Sequence, residues 1–173
     1  AADGNLLISE NNGSIDVIQN NVIIKKAFKA ASAVNSLGLH NNRLFITSDG
    51  DGLYEYTNDS IVLPLQQKIN FPIGYFISID DTLLLCSDLS KGIYLYNNDF
   101  TIRDSLKIPE IDFYAMVQDS KKRIWLCTGK GLRLIQFSSN KYPKLSIAPL
   151  PAAFNFPPLN NTPVSSIIEE PGG

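Results

Sequence analysis

Side chains that commonly catalyse reactions or bind metals are scarce in this sequence. It holds one histidine, His40, and two cysteines, Cys86 and Cys127. A single histidine excludes a paired-histidine metal site within the chain and makes any Ser-His-Asp arrangement depend on that one residue. His40 opens the stretch His40-Asn41-Asn42. Its composition is that of a turn between strands, and a turn role is the reading adopted for it. The cysteines end short apolar runs at a place where a small buried residue is wanted, so both are expected as free thiols. Equivalent positions on neighbouring repeats do not bring Cα atoms within the ~4.4–6.8 Å a disulfide needs. The loops Asp49-Gly50-Asp51-Gly52 and Asp80-Asp81 offer oxygen ligands to a hard cation. They lack the spacing and the distal bidentate Glu of a calcium loop, and turn chemistry accounts for them. No catalytic residue, cofactor site or metal site is therefore assigned.

Aromatic residues are the remaining candidates. Trp125 and the tyrosines Tyr54, Tyr56, Tyr94 and Tyr96 recur at strand period in corresponding places, which suits packing between sheets better than a sugar-stacking platform. The segment from Ala148 to Pro163 differs, because Pro149, Pro151, Pro157, Pro158 and Pro163 alternate there with Phe154 and Phe156. Proline removes backbone donors and stiffens the chain, so a long loop is expected. Loops of that length are uncommon unless they have a task. Phe154 and Phe156 are accordingly the ligand-contacting candidates.

Charge and hydropathy narrow the partners. Fifteen Lys and Arg against seventeen Asp and Glu give a net charge of −2 over 173 residues. No block of like charge occurs, so nothing points to nucleic acid or an anionic membrane surface. Lys25, Lys26 and Lys29 read as a solvated face. Apolar runs are only a few residues long, far below the ~20 of a membrane-spanning helix. No charged-then-apolar leader opens the chain.

What must position these residues is a unit that recurs four times. The copies read NLLISENNGSIDVI from Asn5, RLFITSDGDGLYEY from Arg43, TLLLCSDLSKGIYLY from Thr82 and RIWLCTGKGLRLI from Arg123. Leu6, Leu44, Leu83 and Ile124 are spaced by 38, 39 and 41 residues, and Gly13, Gly52, Gly92 and Gly131 by 39, 40 and 39. Two markers held in phase set the period. Consecutive apolar residues such as Leu44 to Ile46 read as an inner strand covered on both faces, and the Gly-led run after it as an alternating strand. Two further short runs per unit supply a first strand (Val34 to Leu39, Tyr75 to Ile79, Tyr114 to Val117, Ser165 to Ile168) and a fourth (Val22 to Lys26, Ile61 to Leu65, Ile102 to Ile108, Lys144 to Ala148).

Four short antiparallel strands per ~40 residues describe a blade of a β-propeller. The expected fold is all-β, with units at 1–33, 34–73, 74–113 and 114–163 and with 164–173 as the first strand of a next blade. Propellers close with about four to eight blades, so four units could just close by pairing Ser165 to Ile168 with Leu6 to Ile8, but a higher blade number, and hence an arc of a larger ring, is the expectation adopted. An isolated arc should self-associate or lose stability through its uncovered faces.

The fourth unit resembles a known family. From Tyr114 to Leu132 it reads YAMVQDSKKRIWLCTGKGL. That is similar to the two-component regulator propeller repeat, in which a strand ending in an acidic residue is followed by a turn, an apolar-Trp-apolar-small-Thr run and a Gly-Leu strand. Asp119, Trp125, Thr128, Gly131 and Leu132 stand at matching places, and Leu159 to Glu170 resembles the opening of another repeat. Leu7, Phe45 and Leu84 replace the Trp elsewhere. The resemblance implies a non-catalytic, extracytoplasmic sensor segment of a two-component signalling protein, with oligosaccharides among its ligands. It also implies further blades, downstream signalling domains and a homodimeric receptor as partners. The alternatives are a propeller enzyme of the lactonase, lyase or quinoprotein type with its site in the central channel, or an interaction scaffold. Against the scaffold, Gly-His and Trp-Asp dipeptides do not occur at the repeat spacing.

Overall fold

A computed structural model describes residues 6–20, 22–30, 32–50, 52–57, 60–62, 72–80, 82–88, 92–108, 112–138, 144–154, 159 and 161–170. Its described strands form four antiparallel sheets. The first holds β1 (Leu6–Ser9), β2 (Ser14–Gln19) and β3 (Val22–Lys29). β4 (Val34–His40), β5 (Arg43–Ser48), β6 (Gly52–Thr57) and β7 (Ser60–Val62) make the second. The third consists of β8 (Tyr75–Ser78), β9 (Leu83–Asp88), β10 (Gly92–Asn97) and β11 (Ile102–Leu106), the fourth of β12 (Phe113–Gln118), β13 (Ile124–Thr128), β14 (Gly131–Phe137) and β15 (Leu145–Ala148). In every sheet, strands adjacent in sequence are neighbours in space. Between Leu6 and Ala148 no helix occurs among the described residues.

The repeat glycines earn their spacing from backbone geometry. Gly13, Gly52, Gly92 and Gly131 have φ of 86°, 82°, 127° and 105°, a region that side chains with a Cβ rarely enter. A Cβ at Gly92 would also lie 2.2 Å from the Leu106 carbonyl oxygen, because the fourth strand crosses closely there. Other turns use Asn. Asn41 and Asn42 both take positive φ, 51° and 57°, as a two-residue hairpin whose twist matches its strands requires.

Two expectations about strand number need correction. The first sheet has three strands rather than four among the described residues, since no described segment pairs with β1 on its free side. Ser165 to Ile168 forms no strand. A strand exists only through its ladder, and the backbone hydrogen bond beside this segment, from Val164 N to Thr128 O at 3.1 Å, does not continue into one among the described residues.

The chain divides into two compact units, Ala1–Gly74 and Tyr75–Gly173. Each packs two sheets by the same rule. Within the first unit, Leu7 and Ile15 of sheet 1 pack with Ile46, Leu37 and Tyr54 of sheet 2. Within the second, Leu85, Ile93 and Leu95 of sheet 3 meet Met116, Ile124, Leu126 and Ile135 of sheet 4. Alternation along each strand gives every inner strand one side chain for each neighbour, which is why these runs are apolar at consecutive positions. The Asp104 carboxylate adds a polar tie by accepting the Leu145 N–H at 2.6 Å, so the outer strands of sheets 3 and 4 are linked as well.

Candidate functional site

The sole histidine is not in the turn. His40 ends β4, is 2% exposed, and places its ring 6.2 Å from that of Phe45. The turn belongs to Asn41 and Asn42, and His40 serves as packing behind it. Asp80 makes the side-chain-to-backbone turn expected of it, with its Oδ1 accepting from Thr82 N at 2.8 Å and Thr82 Oγ1 at 2.9 Å. Asp49 Oδ1 accepts from Asn35 Nδ2 at 2.6 Å. Asp51 and Asp81 lie outside the described residues.

Both cysteines are free and buried. Burial pushes the Cys86 thiol up to about 12 and raises that of Cys127 too, so neither is a ready thiolate. They are not equivalent, however. Cys127 directly precedes Thr128, the residue paired with Gly131, whereas Cys86 stands two residues before Asp88, the residue paired with Gly92. The third hairpin holds one residue more than the fourth. That single residue turns the two sulfurs to opposite faces of their sheets.

Beyond β15 the chain folds back over sheet 4. Trp125, Cys127, Leu132, Leu134 and Ala148 form one buried face of that sheet, covered by Leu150, Phe154, Leu159, Val164 and Ile167. Trp125 is 3% exposed, as expected, but its cover is this returning segment. A 3-10 turn over Ala152–Phe154 brings the Phe154 ring to 5.2 Å from that of Trp125, tilted by 60°. This tilt is one of the favourable aromatic arrangements. Phe156 lies outside the described residues. At the other end, Glu169 accepts from Ser120 N and Ser120 Oγ, each at 2.7 Å, and fastens the segment to the β12–β13 turn.

Between sheet and segment runs a cleft of about 550 Å³. Trp125, Phe154, Pro151 and Ile167 supply apolar lining, and Asp119, Lys121, Arg123, Glu169 and Glu170 supply charge. Asp119 organises it. One carboxylate oxygen accepts the Arg123 backbone N–H at 2.8 Å, and the other accepts Arg123 Nε at 2.5 Å and the Trp125 indole N–H at 2.8 Å. The guanidinium carbon of Arg123 sits 5.0 Å from the Trp125 ring centroid, a cation–π contact. Burial by itself would raise the Asp119 pKa. The indole donor, the backbone N–H and the Arg123 guanidinium outweigh it and hold the carboxyl below the usual range. Asp119 is thus a fixed anion that orients the indole.

Trp125 is inside and Phe154 in a loop, as expected from the sequence, but their meeting, and the part of Arg123 in it, were not among those expectations. A signal existed. Arg123 and Trp125 are two apart on one strand and so share a face, and Asp119 stands four residues before Arg123 across a hairpin.

Comparison with known proteins places the fold. Neither protein families nor curated proteins give a match. Solved structures do. The extracellular domain of BT4673 from B. thetaiotaomicron, assigned to a one component system, is similar with a TM-score of 0.69 at 19% identity, over 97% of this chain and 23% of its own. The WD40 β-propeller domain of Doa1 has a TM-score of 0.67 at 15% identity, over 87% of this chain and 52% of its own. For virginiamycin B lyase from Staphylococcus aureus the values are 0.64 and 17%, over 88% of this chain and 54% of its own. The chain therefore spans about half or less of each of these proteins. Such likeness shows the fold, and the fold is the β-propeller.

Proposed function

We propose that this chain is part of the ligand-recognition propeller of an extracytoplasmic two-component sensor. It acts without catalysis, and its ligand contact is the cleft beside Trp125. The carrying observation is the way Asp119 grips both Arg123 and the Trp125 indole next to an apolar cleft with a charged rim. Such a site pairs apolar surface, which suits the C–H faces of sugar rings, with charged groups able to bond hydroxyls. Support comes also from the Tyr114-to-Leu132 resemblance and from the fold likeness to an extracellular domain. No helix among the described residues is long and apolar enough to cross a membrane, so an anchor would come from outside them.

Trp125 is the only tryptophan, which makes intrinsic fluorescence a direct reporter on the cleft. Titration with neutral and acidic oligosaccharides should give a saturable shift with a matching calorimetric heat. Phe154→Ala should abolish both while the protein stays folded. Flat titrations with every sugar up to millimolar concentration would sink this reading.

A further inference from the structure

In sheets 2 and 4 the first strand bulges by one residue beside the hairpin that joins the second and third strands. The register shifts at Asn35, between Val34 and Ser36, and at Tyr114, between Phe113 and Ala115. Backbone contacts around the two bulges match. The Asp49 N–H donates to Ala33 O at 3.1 Å, and the Gly129 N–H donates to Asp112 O at 2.9 Å. The chain that leaves each sheet passes the same place. In the first unit Ile73 O and Gly74 O accept from Asn35 Nδ2 and Thr47 Oγ1, and in the second the Val164 N–H donates to Thr128 O. Ala33, Asn35 and Asp49 of sheet 2 thus correspond to Asp112, Tyr114 and Gly129 of sheet 4.

The side chains at these places behave oppositely. In sheet 2, Asn35 Nδ2 donates to Asp49 Oδ1 at 2.6 Å and to Ile73 O at 3.2 Å, so the bulge closes on itself. In sheet 4 a glycine replaces the turn acid. A Cβ at Gly129 would lie 3.3 Å from the Tyr114 hydroxyl oxygen and 3.6 Å from Asp112 Oδ2, so the two polar groups converge over bare backbone. Neither side chain has a hydrogen-bond partner among the described residues, and both are exposed, Tyr114 by 38%. Since the following chain already runs past this bulge at Val164, the opening comes from the residue types at the bulge itself. Bulges re-aim side chains and are enriched at binding sites.

Chemistry selects the occupant. An anion would be repelled by the Asp112 carboxylate, and a cation would use that carboxylate but leave the phenol proton of Tyr114 without an acceptor. Sugar hydroxyls donate to Asp112 and accept from Tyr114, and the C–H face of a sugar ring suits an exposed phenol ring. Gly129 lets such a ring come close to the backbone. We propose that Asp112, Tyr114 and Gly129 form a contact for a neutral sugar. It lies at the other end of β12 from the cleft, whose Asp119, Lys121 and Arg123 surround the β12–β13 turn. It does not rest on the reading of the cleft, and either can fail alone.

Amide NMR spectra of this chain, titrated with maltotriose, cellotriose or xylotriose, test it. At least one of these sugars should shift the Ala115, Gly129 and Lys130 amides saturably at millimolar concentration. Tyr114→Phe keeps the ring and loses the hydroxyl, and should weaken that response about threefold to tenfold. The triple variant Asp112→Ala, Tyr114→Asn and Gly129→Asp installs the closed bulge of sheet 2 and should abolish the response with an unchanged β-type circular dichroism spectrum. Its Trp125 fluorescence should answer sugars as the parent's does, which separates this contact from the cleft. Should the triple variant lose that spectrum, Asp112→Ala alone takes its place. Amides that stay still with every sugar would overturn the proposal. So would a triple variant that responds like the parent, or shifts at these amides with the cationic glucosamine trimer alone, which would mark a cation site.

Discussion

Sheets 2 and 4 build the same corner from different parts. In sheet 2, Arg43 opens the inner strand, its guanidinium carbon lies 5.3 Å from the Phe45 ring centroid, and Glu55 on the neighbouring strand holds it through Nε at 2.5 Å and through NH2. In sheet 4, Arg123 opens the strand over Trp125, and the anion comes from Asp119 before the turn. Among the described residues, Glu55 takes two bonds, both from one guanidinium. Asp119 takes three, from a guanidinium, an indole and a backbone N–H. Both rings are buried, Phe45 at 0% and Trp125 at 3% exposure, but Trp125 also lines a cleft. The first corner only closes a hairpin. The second spends the same arginine–aromatic pair on fixing a ring beside open space, and the extra acceptor work of Asp119 makes that stable.

The strongest way to break this comparison is to remove the rings. Trp125→Ala takes a large aromatic from a packed face and should cost about 3–5 kcal/mol, read from the urea midpoint at constant slope. Phe45→Ala should cost about as much by the same principle. An unchanged midpoint for Trp125→Ala would make its ring a ligand platform without structural weight. Next come the anions. Asp119→Ala strands the indole N–H and leaves Arg123 unpaired, so about 2–3 kcal/mol is expected. Glu55→Ala frees an arginine whose side chain is 43% exposed and reaches water, and should cost below about 1 kcal/mol. Equal losses at the two sites would erase the distinction.

Acid sharpens it further. The Asp119 pKa is lowered in the folded chain, so its contribution is complete above the unfolded Asp value of about 3.9 and is lost as pH falls from there through the folded value. Urea midpoints followed by Trp125 fluorescence should fall in that window, and Asp119→Asn should flatten this part of the profile. An identical profile for the variant would remove Asp119 from the account.

How far the sequence disclosed this is clearest at particular residues. Gly13, Gly52, Gly92 and Gly131 announced four hairpins because positive φ is a backbone demand that composition displays. The apolar run around Trp125 likewise announced a strand covered on both sides. Cys86 was misplaced by one residue, since apolar runs look alike in either register and only the hairpin length decides which face a side chain takes. His40 misled because turn composition surrounds it while its own ring is packing. The cleft was hidden for a different reason. Phe154, Ile167 and Glu169 reach Trp125 and Ser120 through a returning segment without strand periodicity, and nothing local predicts where such a segment lies.

The smallest expected difference between the corners comes from their arginines. Arg123 is the more buried, its side chain 32% exposed against 43% for Arg43, so burial alone predicts that Arg123→Met costs more than Arg43→Met. The acceptors argue the reverse. Without its guanidinium Asp119 still receives the Trp125 indole at 2.8 Å and the Arg123 backbone N–H at 2.8 Å, and the methionine stem can keep packing on the indole. Glu55 would lose both guanidinium donors while remaining 7% exposed. A buried carboxylate with no donor left among the described residues is penalised more than one that keeps two. Arg43→Met should therefore lower stability by about 1–1.5 kcal/mol and Arg123→Met by about 0.5–1 kcal/mol, both including the lost cation–π contact. Paired urea titrations in one buffer resolve a difference of that size. The opposite order would mean that the guanidinium, rather than the indole and the backbone, carries Asp119.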